Sequence, residues 1–102
     1  MSRRLIIRPE AESDIVSAAR WYDEQSPGLS LEFRSAPDDT LAVIRENPEL
    51  YARAYHDLRR ALLHRFPYGD SYVQRAAGVI VVALLHTARS GTRWRARLKS
   101  EN

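Results

Sequence analysis

The apolar period of this chain changes from 3.6 to 2 near residue 58, and that change limits the class of fold it can reach. Upstream, Ala11, Ile15, Ala18 and Tyr22 recur at helical spacing and mark one buried helix face. Downstream, residues 58–66, 68–75 and 79–86 read as consecutive strands, joined tightly at Phe66-Pro67 and Ala76-Ala77-Gly78. Short connections of this kind make an antiparallel meander, because a parallel return would need a long crossover. Helices and strands are segregated along the chain, which predicts an α+β domain of order β-α-α-β-β-β. In it two N-terminal helices pack on an antiparallel sheet and a short C-terminal segment follows.

Local signals refine the elements. Residues 4–8 are β-prone and end at Pro9, which suits a first helical turn because its missing N–H has no partner to lose there. Glu10, Glu12 and Asp14 then complement the positive end of the helix dipole, and Ser26-Pro27-Gly28 closes the helix. A second helical stretch, 29–46, stops before Asn47-Pro48. Pro37 lies in its interior, where proline costs about 3 kcal/mol. Ser35 with Asp38 reads as a cap, so two pieces, 29–34 and 36–46, are predicted with a bend between them. Residues 51–57 read as a loop. Residues 79–85 are apolar on both faces and predict the best-covered, central strand. Trp94 and Leu98 are expected to pin a last helical turn.

The 102 residues, 44% of them hydrophobic, suit one domain over 1–102 with one core, so any site is expected to be a shallow surface or groove. Cysteine is absent, and His56, His64 and His86 lack the close spacing of a helical zinc motif, so neither metal nor cofactor is expected. The run 79–85 is far short of the roughly 20 apolar residues that span a bilayer. Leu5, Ile6 and Ile7 fall short of a secretory core, and the expectation is a soluble cytoplasmic protein without a membrane partner.

Charge is unevenly divided. Residues 1–57 carry a balance of −4 and residues 58–102 one of +7, which the overall +3 conceals. All but one of the cations are arginine, Lys99 being the exception. A basic half on a small domain implies a face that meets phosphates, or an acidic protein segment that competes for the same place.

The run AESDIVSAARWYDEQSPGL, the segment ENPELY at 46–51, RRALLHRFPY at 59–68, Tyr72, and VIVVALLHTAR at 79–89 followed by Trp94 together resemble the RelE/ParE toxin superfamily. These are the toxins of type II toxin–antitoxin modules, often labelled plasmid stabilisation proteins. The resemblance covers nearly the whole chain and implies a ParE-like toxin that inhibits growth by binding DNA gyrase and performs no chemistry of its own. The alternatives it leaves are a RelE-like ribosome-dependent mRNA endonuclease that needs no metal, and an attenuated binding domain. Each implies a cognate antitoxin whose acidic, partly disordered tail folds against the toxin's helices and sheet. Two departures from the family pattern are Pro37 and Gly69-Asp70, the latter standing where apolar residues are usual.

Arg59, Arg60 and Arg65 are candidates to line a nucleic-acid or target-binding groove, since a guanidinium offers a planar fork of donors matched to phosphate. In a regular strand Arg59 and Arg65 share a face and Arg60 lies opposite; the alternative is a solvated face or pairing with the acids of the first half. Tyr68 and Tyr72 also share a face. Tyr68 is placed with the target-binding set and Tyr72 in the core. Arg89 and Arg93 complete the basic set. Where the resemblance is to a ribonuclease, His86 or a tyrosine is the proton carrier, with Arg65 and Arg89 on the scissile phosphate. A structural histidine closing the strand is the other reading of His86. Trp21, Tyr22, Phe33 and Phe66 are assigned to the core or to an antitoxin groove. Lysines, common in the RelE-type site, are absent from all three strands, which favours the ParE-like reading.

Overall fold

The structure is a computed structural model, described here over residues 4–89. Along the chain run β1 (Leu5–Ile7), α1 (Pro9–Gln25), α2 (Leu29–Glu46), β2 (Arg53–Tyr55), β3 (Leu58–Leu62), β4 (Tyr68–Arg75), β5 (Gly78–His86) and a 3-10 turn, Thr87–Arg89. The α+β class and the order of helices before strands agree with the sequence. Arg93, Trp94, Leu98 and Lys99 lie outside the described residues.

Pro9 opens α1 behind an extended Arg8, with Glu10 and Glu12 in the first turn. The face that meets the sheet is built from Ala11, Ala18, Ala19 and Tyr22. Three alanines let the helix approach the strands closely, and Tyr22 fills the wider end. Gly28, at φ 89°, takes the left-handed conformation that turns the chain into α2. The new helix has no cap of its own; Asp23 of α1 supplies one, its Oδ1 accepting the N–H groups of Gly28 and Ser30 at 3.1 Å each. These bonds, that of Ser30 foremost, hold the Asp23 carboxyl below its ordinary range.

α2 corrects one expectation. It is a single helix through Pro37, and Ser35 caps nothing: its hydroxyl donates back to the Glu32 carbonyl at 2.9 Å, while Thr40 donates to Ala36 O at 3.1 Å. Pro37 is fully buried, so its burial in the fold offsets part of what the ring costs the helix.

The sheet has five strands in the order β1-β5-β4-β3-β2. It is antiparallel from β2 to β5, as the meander requires, but β1 pairs parallel with β5, Leu5 opposite Val79 and Ile7 opposite Val81, so the whole is mixed. The helical hairpin between β1 and the meander is the long crossover that a parallel pair needs. The 51–57 stretch contributes the short edge strand β2. The central strand is β4, while β5 is interior beside it and, as its sequence predicted, buried on both faces. Gly78 starts β5 at φ 137°, where a Cβ would lie 2.4 Å from Arg4 O; this tight parallel join admits no side chain.

Side-chain alternation sorts the sheet into two apolar faces. Against the helices pack Ala61, Tyr72, Val79 and Val81 with Ala11, Leu41 and Ile44, and next to them Leu63 and Leu84 with Ala18, Tyr22 and Phe33. The outer face holds Leu58, Val73, Val82, Ala83 and Leu85.

Candidate functional site

The arginines of 59–65 do not form one row. Arg59 points to the helix face, where its Nη1 donates to Tyr51 O at 2.6 Å and Glu49 O at 3.4 Å. Tyr72 reinforces the same loop with a hydroxyl bond to Pro48 O at 2.7 Å, and burial pushes that phenol up to about 12. Both residues therefore fasten 47–51 to the sheet. Tyr72 is fully buried, in the core as read from sequence.

β3 ends at Leu62, so Arg65 does not share its strand face with Arg59. It sits in the following turn at φ 77°, exposed, 3.7 Å from Glu32 and 5.7 Å over the Phe66 ring. A left-handed arginine is uncommon and sets the side chain out from the sheet. Arg60 lies on the outer face, apart from Arg59 and Arg65. Its guanidinium crosses Gly69: a Cβ there would meet Arg60 Nε at 2.9 Å and Leu62 Cδ2 at 3.3 Å. Its Nη2 is out of solvent and has no hydrogen-bond partner.

Tyr68 and His86 are the predicted residues that the fold brings together. They face each other across the β4–β5 register with rings 5.2 Å apart. Tyr68 also packs edge-on to Phe33 at 5.4 Å, continuing the cluster in which Tyr22 stacks on Phe33. Beside this pair is a groove of about 480 Å³ between α1 and the end of β5, lined by Asp14, Ser17, Trp21, Tyr68, Leu84 and His86. Trp21 is 51% exposed, a groove residue rather than a core one. His86 Nδ1 accepts the N–H of Ala88 at 3.0 Å. That bond places the proton of the neutral ring on Nε2, and a doubly protonated ring would have to give it up. Arg89 lies in the 3-10 turn three residues on.

Two carboxylates complete the picture. Asp14 belongs to the groove, and its Oδ2 accepts the N–H of Leu84 at 3.0 Å. In the sequence Asp14 reads as a complement to the helix dipole, and its position between Ala11 and Ala18 on the apolar stripe is the signal for this second place against the sheet. Asp70 lies on the helix face with Tyr68 and Tyr72, fully buried, and neither oxygen has a hydrogen-bond partner. Desolvation, aided by Asp38 of α2, pushes its carboxyl up to about 8. It is thus sealed off from any phosphate groove.

No protein-family model and no curated sequence matches this chain. Among solved structures, a chain of the chromosomal ParDE TA system from P. aeruginosa superposes with a TM-score of 0.73 over 80% of this chain and 92% of that one. The two chains share a backbone fold. At 13% identity the likeness is one of backbone, and the side chains above must carry any statement about activity. The groove beside His86 is bounded by α1 and β5, and among the described residues no helix is long and apolar enough to cross a membrane.

Proposed function

We propose that this chain is the toxin of a type II toxin–antitoxin module in the cytoplasm, acting in the ParE-like manner by binding DNA gyrase and neutralised by an antitoxin with an acidic, partly disordered tail. The observation that carries the choice of binding over cleavage is the Ala88 N–H on His86 Nδ1. A general acid must present a loaded proton and recover it each cycle. A ring whose Nδ1 accepts a backbone bond instead offers a fixed Nε2–H donor, which suits recognition. The arginines agree: Arg59 is committed to the 47–51 loop, and Arg65 stands out in a turn, suited to contacting a macromolecule. Arg65, Arg60, Tyr68, Arg89 and Arg93 form the proposed contact set, with Arg59 supporting it from beneath.

The endonuclease reading keeps one supporting observation, the Tyr68–His86 contact, which could place two proton-handling groups near one phosphate. In that reading His86, Arg65 and Arg89 are catalytic. Inducing the chain without its antitoxin while mapping new RNA 5′ ends and growth separates the two. Growth arrest without new ends, together with gyrase-bound broken DNA, is the expected result. Cuts phased with codons in translated messages would overturn the gyrase reading.

A further inference from the structure

One stripe of α2 lies against one face of β4, and the middles of the two are Pro37 and Asp70. Phe33, Pro37, Leu41 and Ile44 are buried along α2 at helical spacing. Tyr68, Asp70 and Tyr72 alternate onto the helix-facing side of β4. Phe33 packs on Tyr68 at 5.4 Å, and Leu41 belongs to the same cluster as Tyr72. Pro37, midway between Phe33 and Leu41, is therefore set over Asp70, midway between the tyrosines. Asp38, next to Pro37, is accordingly the charge that acts on Asp70. Pro37 and Asp70 are both fully buried.

Each of the two leaves a polar group unmet. Pro37 has no N–H, so the Phe33 carbonyl lacks the donor that an α-helix supplies four residues on. Asp70 has two buried oxygens without a hydrogen-bond partner. Its neighbours are committed elsewhere. From α2, Thr40 gives its hydroxyl to Ala36 O, and Asp38 is a like charge. On β4, Tyr72 donates to Pro48 O and Tyr68 packs against Phe33 and the His86 ring of β5. From β3, Arg59 is bonded to the 47–51 loop; from α1, Asp14 accepts from Leu84 and Tyr22 stacks on Phe33. Directly opposite Asp70 in the sheet are Ala61 and Leu84. With no hydrogen-bond donor to Asp70 among the described residues, burial favours the neutral acid. A neutral carboxyl carries one O–H, and the α2 turn above it holds one carbonyl short of a donor. We infer that Asp70 is a buried neutral acid whose O–H donates to the Phe33 carbonyl left open by Pro37, a proton-operated latch that holds α2 on the sheet and releases when Asp70 ionises. The proline and the aspartate each satisfy the group that the other leaves, which neither does alone. Ionisation removes the donor and sets a bare carboxylate against a carbonyl and the Asp38 charge, so α2 loosens there as pH rises.

Phe33 and Phe66 are the only phenylalanines of the chain. Labelling the full chain with carbon-13 at the phenylalanine carbonyl and at the aspartate side-chain carboxyl therefore reads both ends of the latch. Between about pH 6 and about pH 10 the Asp70 carboxyl is expected to titrate, and the Phe33 carbonyl resonance to shift with the same midpoint. Phe66, whose carbonyl accepts the Tyr68 N–H at 2.8 Å, should stay in place. Asp70→Asn keeps a donor and does not titrate, so it should hold the Phe33 resonance still across the range. Urea unfolding at about pH 6 gives a second readout. Asp70→Ala should raise the unfolding equilibrium constant about tenfold more in the parent than in the Pro37→Ala chain, where residue 37 gives the Phe33 carbonyl its N–H. If Asp70→Ala does not fold, the resonances decide; if Asp70 stays protonated throughout, the two backgrounds do. An Asp70 carboxyl already ionised at about pH 6 would overturn the latch. So would a Phe33 resonance that stays put while Asp70 titrates or moves equally in Asp70→Asn, or equal effects of Asp70→Ala in the two backgrounds.

Discussion

Asp14 on α1 accepts the backbone N–H of Leu84 on β5 at 3.0 Å, so a helix carboxylate occupies the strand edge that β1 leaves open after Val81. Buried backbone donors need partners, and here the nearest strand is too short to supply one. The same contact fixes one wall of the groove beside His86 and links the helix layer to the candidate site. Replacing Asp14 by Ala leaves the Leu84 N–H without this acceptor and should destabilise the chain by about 1–3 kcal/mol. Asn, which keeps an acceptor oxygen, should recover part of the loss. Urea unfolding of the two variants decides it; equal losses would mean that the bond to Leu84 contributes little.

Asp70 sets a pH dependence. Its folded-state carboxyl is raised to about 8, above the ordinary value of 3.8, so the folded chain holds a proton that the unfolded chain releases. Its contribution to stability is therefore fully present below about pH 4 and falls as pH rises, until it levels off above about 8. The slope approaches 1.4 kcal/mol per pH unit at most across that window. Asp70→Asn should flatten the profile and gain on the parent steadily from pH 5 to pH 8. Parallel profiles for the two proteins would show that Asp70 finds a counter-charge or water when ionised.

Much of this was legible beforehand and some was not, for identifiable reasons. β4 follows from period-two spacing after Pro67, β5 from an unbroken apolar run after Gly78, and α1 from Pro9 and the alanine stripe, all of which are local signals. The parallel β1–β5 pair and the edge strand β2 depend on partners far along the chain, which periodicity does not report. The unbroken helix through Pro37 is not legible in the sequence, because propensity speaks for the isolated helix whereas burial belongs to tertiary packing. The position of Asp70 was available: if Tyr68 and Tyr72 share a face, the residue midway between them shares it too. For the candidate site, the meeting of Tyr68 with His86 follows from antiparallel pairing. The scattering of Arg59, Arg60 and Arg65 does not, because it depends on β3 ending at Leu62.

Pro37 gives a test of that tertiary override. Alanine restores a donor for the Phe33 carbonyl and removes a penalty of about 3 kcal/mol, but sacrifices buried ring atoms worth about 1–2 kcal/mol. Pro37→Ala should therefore be about 1–2 kcal/mol more stable in urea. A variant less stable than the parent would show that the ring's packing is worth more than the helix hydrogen bond.

Arg59 and Arg65 should separate structure from function. Arg59 anchors two loop carbonyls, so Arg59→Ala should lose about 1–2 kcal/mol, with reduced toxicity following from reduced stability. The ion pair of Arg65 is more than half exposed on both sides, and such pairs are worth no more than about 0.5–1 kcal/mol. Arg65→Ala combined with Arg89→Ala should melt close to the parent yet no longer arrest growth. Undiminished arrest by that folded double variant would take both arginines out of the contact set.

His86→Gln distinguishes recognition from catalysis at the groove. In the binding reading, residue 86 contributes an Nε2–H donor beside Tyr68 and closes β5 through Ala88. Glutamine retains a donor and an acceptor at similar reach, so growth arrest should persist within about tenfold of the parent's potency, with melting little changed. As a proton carrier, histidine has no substitute in glutamine, which does not titrate, and the loss would be about 100-fold or more in RNA cleavage with ribosome binding intact. The deciding measurement is a dose–response of arrest against induced protein level, run beside 5′-end mapping. Persistence of arrest with no cuts in either protein supports gyrase binding. Cuts by the parent that vanish in the variant would assign His86 to catalysis, and the Ala88 bond would then have to break during the reaction.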